Sequence, residues 1–274
     1  MSAFDIEFAA VTDIGKIREK NEDSVLISSD LGLGVVADGM GGHSAGEIAS
    51  NIAVHVLEET IRKVNTGELK MPETFLPKLD NTERKMLMAA NLANAAIYTT
   101  AQASEIYKMM GTTLTGVMFD GDNATAVHVG DSRIYLFRDG KLVQVTTDHS
   151  LAMEHVRRGL LTKAEADKSK IQNVLTRAMG IKKNVEFDLL RFPVKLGDVM
   201  VLCSDGLYKG MNETQLAEQL ERGKNLPLVK LCKQLVRVSN DNDGQDNIPA
   251  VMIKILPPQR LTFKQKVRRF FGCY

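Results

Sequence analysis

Two alternating rhythms of apolar residues run along this chain, and they change over at definable points. Phe4 to Thr12 alternates apolar and polar and predicts a strand. Ser24 to Ser28 and Leu33 to Ala37 predict two more, joined by the turn Ser29-Asp30-Leu31-Gly32. At Ala45 the spacing changes to helical and continues to Val64, with Ile48, Ile52, Val56 and Leu57 on one face. The stretch from Asn65 to Asn81 holds two prolines and a glycine and reads as a surface connection. Glu83 to Met109 predicts a second, alanine-rich helix. Strands follow at Thr112 to Phe119, Ala124 to Val129, Arg133 to Phe137 and Leu142 to Val145, the last pair around the hairpin signal Arg138-Asp139-Gly140. Leu151 to Ala166 reads as short helices and loop. Val185 to Phe192 and Asp198 to Cys203 read as strands, Glu213 to Arg222 and Leu228 to Ser239 as helices, and Ile248 to Ile255 as a closing strand.

The order is strands, two helices, strands, two helices, strand, with hairpins in place of β-α-β alternation. It predicts an α+β fold with antiparallel sheets and helices packed outside them. Pro257-Pro258 marks a boundary, giving a domain over residues 1–256 and a tail over 257–274.

Composition narrows the class. The chain has 274 residues, 44% hydrophobic and 25% charged, and a net charge of +1, with no basic excess of the kind that binds nucleic acid. Three widely spaced cysteines without a C-x-x-C pair fit a reduced, cytoplasmic protein. The first residues carry acids and no basic n-region, so no signal peptide is expected. Cys203 ends a strand and has no C-x5-R loop behind it, which argues against a cysteine nucleophile.

The chemistry lies in carboxylates at strand ends. Asp38, Asp205 and Asp246 each border an apolar run, and strand ends converge in folded domains. Bare carboxylates repel one another unless a cation sits among them. Oxygen-only ligands favour Mg²⁺ or Mn²⁺ over zinc. Glycine after Asp38 and after Asp205 lets backbone approach such a site closely. Arg18 lies near Glu22 and Asp23, and a guanidinium beside a metal cluster suits a phosphate. Two other motifs fail. Gly32-Leu33-Gly34-Val35-Val36-Ala37 matches a dinucleotide fingerprint, yet it runs along a strand and does not open a helix. The acid-rich stretch from Asn240 to Asn247 has its glycine out of register for a calcium loop.

In order along the chain stand R-x-x-N-E-D (Arg18 to Asp23), D-G-M-G-G-H (Asp38 to His43), G-T-T (Gly111 to Thr113) and G-D-S-R (Gly130 to Arg133). They are followed by D-H-S (Asp148 to Ser150), L-T-R-A-M-G (Leu175 to Gly180), S-D-G-L (Ser204 to Leu207) and D-N (Asp246, Asn247). With these motifs the chain resembles the metal-dependent protein phosphatases of type 2C, in their bacterial form, over roughly Phe4 to Leu256. The resemblance implies a sandwich of two antiparallel β-sheets flanked by pairs of α-helices, with a dinuclear metal site at one end. It implies two or three Mn²⁺ or Mg²⁺ ions and in-line attack on phosphoserine or phosphothreonine by a hydroxide bridging two of them. Asp38 would bridge the ions, with Gly39 through its carbonyl, Asp205, Asp246 and Glu22 completing the shell. Asp131 matches the position that helps bind a third ion, and Arg18 the phosphate-binding arginine. Asp23, Thr113 and Asn247 would support these ligands from behind.

Met40 stands where animal members often carry a histidine able to protonate the leaving group. His43 or a water could serve here instead. Residues 148–173 occupy the place of the family's flap, where Arg157, Arg158, Lys163, Lys168 and Lys170 could meet an acidic or phosphorylated substrate. The implied partners are phosphorylated proteins and a Ser/Thr kinase system. Two rivals remain: an inactive binding module of the same fold, and a phosphohydrolase acting on small molecules or phosphotyrosine. The tail from Gln259 to Tyr274 carries five cations and no acid, with Phe263, Val267, Phe270 and Phe271 at helical spacing. It could bind an anionic membrane or an acidic partner, cap the domain, or stay disordered.

Overall fold

The computed structural model describes residues 4–41, 45–72 and 78–258. Eleven strands form two antiparallel sheets among these residues. The first sheet runs β1 (Asp5–Asp13), β11 (Ile248–Leu256), β10 (Val199–Cys203), β7 (Arg133–Arg138), β8 (Lys141–Gln144). The second runs β2 (Asp23–Ser28), β3 (Leu33–Met40), β5 (Leu114–Asp120), β6 (Asn123–Val129), β9 (Asp188–Pro193), with the two-residue β4 (Gly111–Thr112) paired to the end of β3. Val36, Val117, Ala126, Ile134, Leu202 and Val251 fill the space between the sheets.

Each outer face is covered by helices. α1 (Ala45–Thr66) and α2 (Asn81–Ala103) lie on the second sheet. Buried Ala49, Ala53, Ala89, Ala90 and Ala93 let these two helices approach closely, while Leu57, Ile61 and Ile97 fill the remaining volume. Full burial of one such leucine or isoleucine contributes about 1.5–3 kcal/mol. Asp80 and Glu83 form a capping box that starts α2. On the first sheet lie α6 (Glu213–Arg222) and α7 (Leu228–Asn242), with Leu216, Leu220, Leu228, Leu231, Leu235 and Val236 facing the strands. Two short helices, α3 (Leu151–Arg157) and α4 (Lys163–Ala166), occupy the flap segment. The expected α+β sandwich with outer helix pairs is therefore the observed one.

Three local expectations shift. The second helix ends at Ala103 and not at Met109. Ser104 is extended, its hydroxyl accepts from the Ile106 amide to start one 3₁₀ turn at Glu105–Tyr107, and Met109 takes φ +70°. This bend delivers Gly111 and Thr112 to the end of β3. The strand expected from Val185 begins only at Asp188; the Glu186 carbonyl accepts instead from the Arg177 guanidinium.

Most consequential is a helix the sequence did not announce, α5 (Asp205–Gly210), directly after β10. Its two glycines disfavour helix on propensity alone. Packing imposes it. A Cβ on Gly206 would lie 2.0 Å from the Asn247 carbonyl oxygen, and one on Gly210 would lie 2.3 Å from Ser239 Oγ. The buried Ser239 hydroxyl donates to the Gly206 carbonyl at 2.8 Å, and Asn242 Nδ2 donates to the Gly210 carbonyl at 2.8 Å.

Candidate active site

One cavity of about 770 Å³ opens at the end of the sandwich where β3, β10 and the approach to β11 meet. Arg18, Glu22, Asp38, Gly39, Thr113, Asp131, Asp205, Asp246 and Asn247 all line it. Every sequence-predicted site residue except Asp23 thus faces one space, although they come from six separate segments.

Backbone geometry brings them together. Asp23 and Asp38 are direct partners across β2 and β3, and Gly39 pairs with Thr112. The Asp38 amide donates to Thr113 Oγ1 and the Thr113 amide to the Asp38 carbonyl, both at 2.9 Å. Thr113 Oγ1 continues to Ser132 Oγ at 2.8 Å, tying the Asp131 turn to the Asp38 strand end. Gly130, at φ +107°, makes that turn, and a Cβ there would lie 2.5 Å from Thr113 Cγ2. A Cβ on Gly39 would fall 2.1 Å from the Gly46 carbonyl oxygen, so only glycine lets the strand end lie against the start of α1. Asn247 is a clamp: its side chain accepts from the Glu22 amide at 2.8 Å and donates to the Ile14 and Lys20 carbonyls at 2.9 and 3.0 Å. It fixes the loop that carries Arg18 and Glu22. Asp23 sits behind the cavity, accepting from Ser204 Oγ at 3.1 Å.

The electrostatics of this cluster are unfavourable as a set of bare acids. Burial, then repulsion from Asp23, Asp205, Asp131 and Asp246, holds the Asp38 carboxyl well above the usual range. Burial and then Asp205 do the same to Asp23. Asp131 is pushed up to about 7 by burial and by Asp205 and Asp148. Glu22 is raised by burial, against the pull of Arg18. Two acids are turned toward cations of the chain: Asp246 accepts from Arg18 at 2.9 Å, and Asp205 pairs with Lys209. In that arrangement no three His, Cys, Asp or Glu side chains among the described residues close on a single point.

The donor set fits hard divalent cations. It is all oxygen, it includes the carbonyl of a glycine, and its carboxyls are destabilised by one another in a way that only positive charge relieves. Cys203 is buried and its thiol is pushed up to about 12 by burial, consistent with a core role and against a thiolate nucleophile.

Sequence reasoning missed several lining residues, among them Lys209, Arg177, Lys182 and Asn184. Lys209 would have been found had Asp205 been read as a helix start, because a lysine four residues on then faces the same way. The flap is anchored at its base by a buried pair: Arg133 donates to both Asp148 oxygens at 2.7–3.1 Å and lies 3.7 Å over the Tyr208 ring. From the far end of the flap region, Asn173, Leu175 and Thr176 reach the cavity rim. His43 and the tail from Gln259 lie outside the described residues.

The sandwich of two sheets between helix pairs thus carries a carboxylate-lined, arginine-flanked cavity at one end. The sequence profile of the family Protein phosphatase 2C matches residues 18–252, and the chain belongs to that family. The Serine/threonine phosphatase stp of Listeria monocytogenes is 33% identical over 246 residues, covering 89% of this chain and 93% of that protein. Among solved structures, the S. agalactiae serine/threonine phosphatase superposes with a TM-score of 0.79 at 35% identity, covering 91% of this chain and 99% of that one. The catalytic domain of the serine threonine protein phosphatase PstP, in complex with two manganese ions, superposes with a TM-score of 0.76 at 32% identity, covering 92% of this chain and 98% of that one.

Proposed function

We propose that this chain is a protein serine/threonine phosphatase that hydrolyses phosphoserine and phosphothreonine using Mn²⁺ or Mg²⁺. The observation that carries the reading is the convergence of Asp38, Asp205, Asp246, Glu22 and the Gly39 backbone on one cavity beside Arg18. Those residues would hold the ions, with Asp23, Thr113 and Asn247 fixing their positions. When bound, the ions would lower the pKa of water and offset phosphoryl charge. The sequence similarity to named Ser/Thr phosphatases and the manganese in the PstP neighbour support the same assignment.

The chain's own residues have distinct tasks. The Arg18 guanidinium, half-exposed at the mouth, receives the phosphoryl oxygens through two parallel N–H donors. Asp246 orients it. Met40 lines the cavity without a proton to give, so the leaving alkoxide takes its proton from another group or from solvent. Arg177 and Lys182 on the rim, with the flap over residues 148–173, would meet the protein part of the substrate. Residues 1–256 form the catalytic unit and the basic tail a separate element, suited to an anionic membrane or an acidic partner. The cellular setting that fits is the cytoplasm, opposite a Ser/Thr kinase. No helix among the described residues is long and apolar enough to cross a membrane.

An inactive binding module would be expected to have lost ligand residues, and none of these acids is missing. The test is phosphate release from phosphothreonine, phosphoserine and phosphotyrosine peptides by the purified chain. Release from the first two with Mn²⁺, abolished by EDTA, is expected. Undiminished release in EDTA, or preference for phosphotyrosine, refutes the assignment.

A further inference from the structure

The acid beside which the family resemblance implies a third ion, Asp131, shares its cavity with a cation of the chain. Lys209 stands four residues after Asp205 on α5, lines the same cavity as Asp131, and pairs with the Asp205 carboxylate. We infer that the Lys209 ammonium takes the place of a third cation between Asp131 and Asp205, so that this chain holds two divalent ions and not three. The inference rests on reading the acidic cluster as the metal site.

The lysine is there by construction and not as a surface side chain that happens to reach inward. α5 is locked by Ser239 against its first turn and by the carbonyl of Asn247 against Gly206. Its Tyr208 hydroxyl donates to the Asp131 carbonyl at 3.3 Å, and the Arg133 guanidinium covers the ring of the same tyrosine. Helix, Asp131 turn and flap base are therefore one unit, and the lysine keeps its register toward Asp205 in the cavity that Asp131 also lines. The side chain is 30% exposed, against 13% for Asp205, and both line the cavity.

Charge then decides occupancy. Two carboxylates side by side need a positive partner, and a lysine ammonium supplies one charge with three donors. A divalent ion about 4 Å from that ammonium is repelled enough, even with the screening of bulk water, to weaken its binding on the order of thirtyfold. Within the less polar cavity the penalty is larger. Lys209 thus does two things at once: it pairs with Asp205, and it excludes a further cation from the space between Asp205 and Asp131. It acts on the chemistry through those acids and is a positioning residue.

The experiment counts ions directly, by electron paramagnetic resonance titration of free Mn²⁺ against the full chain, for the unaltered protein and for Lys209→Asp and Lys209→Gln. Two ions per chain in the unaltered protein and three in Lys209→Asp are expected. In Lys209→Gln, which removes the charge with a side chain one atom shorter, a third ion should bind about thirtyfold more tightly than any third ion in the unaltered chain. Should Lys209→Asp not fold, the Lys209→Gln comparison decides alone. Three ions of undiminished affinity in the unaltered chain, or no tighter third ion in the variants, overturns the role given to Lys209 while leaving the metal site standing. No tightly bound Mn²⁺ in the unaltered chain overturns the metal site itself, and the inference with it.

Discussion

Replacing Asp131 by asparagine tests how strongly the cavity acids strain the metal-free protein. The asparagine keeps the shape and removes the titration. Burial and the neighbouring Asp205 lift the Asp131 carboxyl from 3.8 to about 7. The folded chain therefore keeps a proton on this group that the unfolded chain has already released. Stability is lost as pH rises from the unfolded value toward the folded one, by ~1.4 kcal/mol for each unit of pKa difference, or ~4 kcal/mol in all. Between about pH 5.5 and 7.5 the share is ~2 kcal/mol.

Two buried histidines act in the opposite direction. His128, held down to about 3 by burial and His149, and His149, lowered by burial, each favour folding as pH rises through the ordinary histidine range. The total pH slope mixes these effects, and the difference between the two proteins isolates Asp131. Urea unfolding in EDTA should show Asp131→Asn gaining ~2 kcal/mol on the unaltered chain between pH 5.5 and 7.5. Parallel pH profiles for the two proteins would show that Asp131 is not strained, and the argument from crowded carboxylates would fail.

Arg133→Ala leaves Asp148 without its cation, with only the Gln144 amide still donating to it, where the two side chains of the ion pair are only 12% and 8% exposed, so a loss of about 3–5 kcal/mol is expected, measured by denaturant unfolding. An unchanged midpoint would show that the flap base does not depend on this pair. Gly206→Ala drives a methyl against the Asn247 carbonyl and should cost about 1–3 kcal/mol, read as a lower melting temperature. A melting temperature equal to the parent's would mean that α5 has room to shift. Arg18→Ala should lower kcat/KM toward a phosphopeptide on the order of a hundredfold, with Arg18→Lys only partly better because an ammonium lacks the paired donors. Full activity in the lysine variant would remove the bidentate role.

The sheets and the outer helices were legible because burial imposes period: alternating residues in the strands of each hairpin, and Leu, Ile and Ala at helical spacing in α1, α2 and α7. The acids of the cavity were legible through their place at strand ends and through the order of short motifs around them. What escaped notice was set by contacts distant in sequence. α5 contains two glycines and forms because the Asn247 and Ser239 regions leave space for nothing larger than hydrogen. Lys209 was invisible for the same reason, since its direction depends on that helix. The clamp made by Asn247 joins residues more than 220 positions apart, and no local pattern announces it. The early end of α2 was hidden too, because Ser104 looks as acceptable in a helix as at its end.

The central claim is that Asp38, Asp205 and Asp246 hold divalent cations in the cavity beside Arg18. Anomalous diffraction from a crystal of the full chain soaked in Mn²⁺ tests it most directly. The account predicts two manganese peaks within the cavity, with Asp38 touching both and Asp205 and Asp246 one each. A cavity without manganese at saturating Mn²⁺ would contradict it.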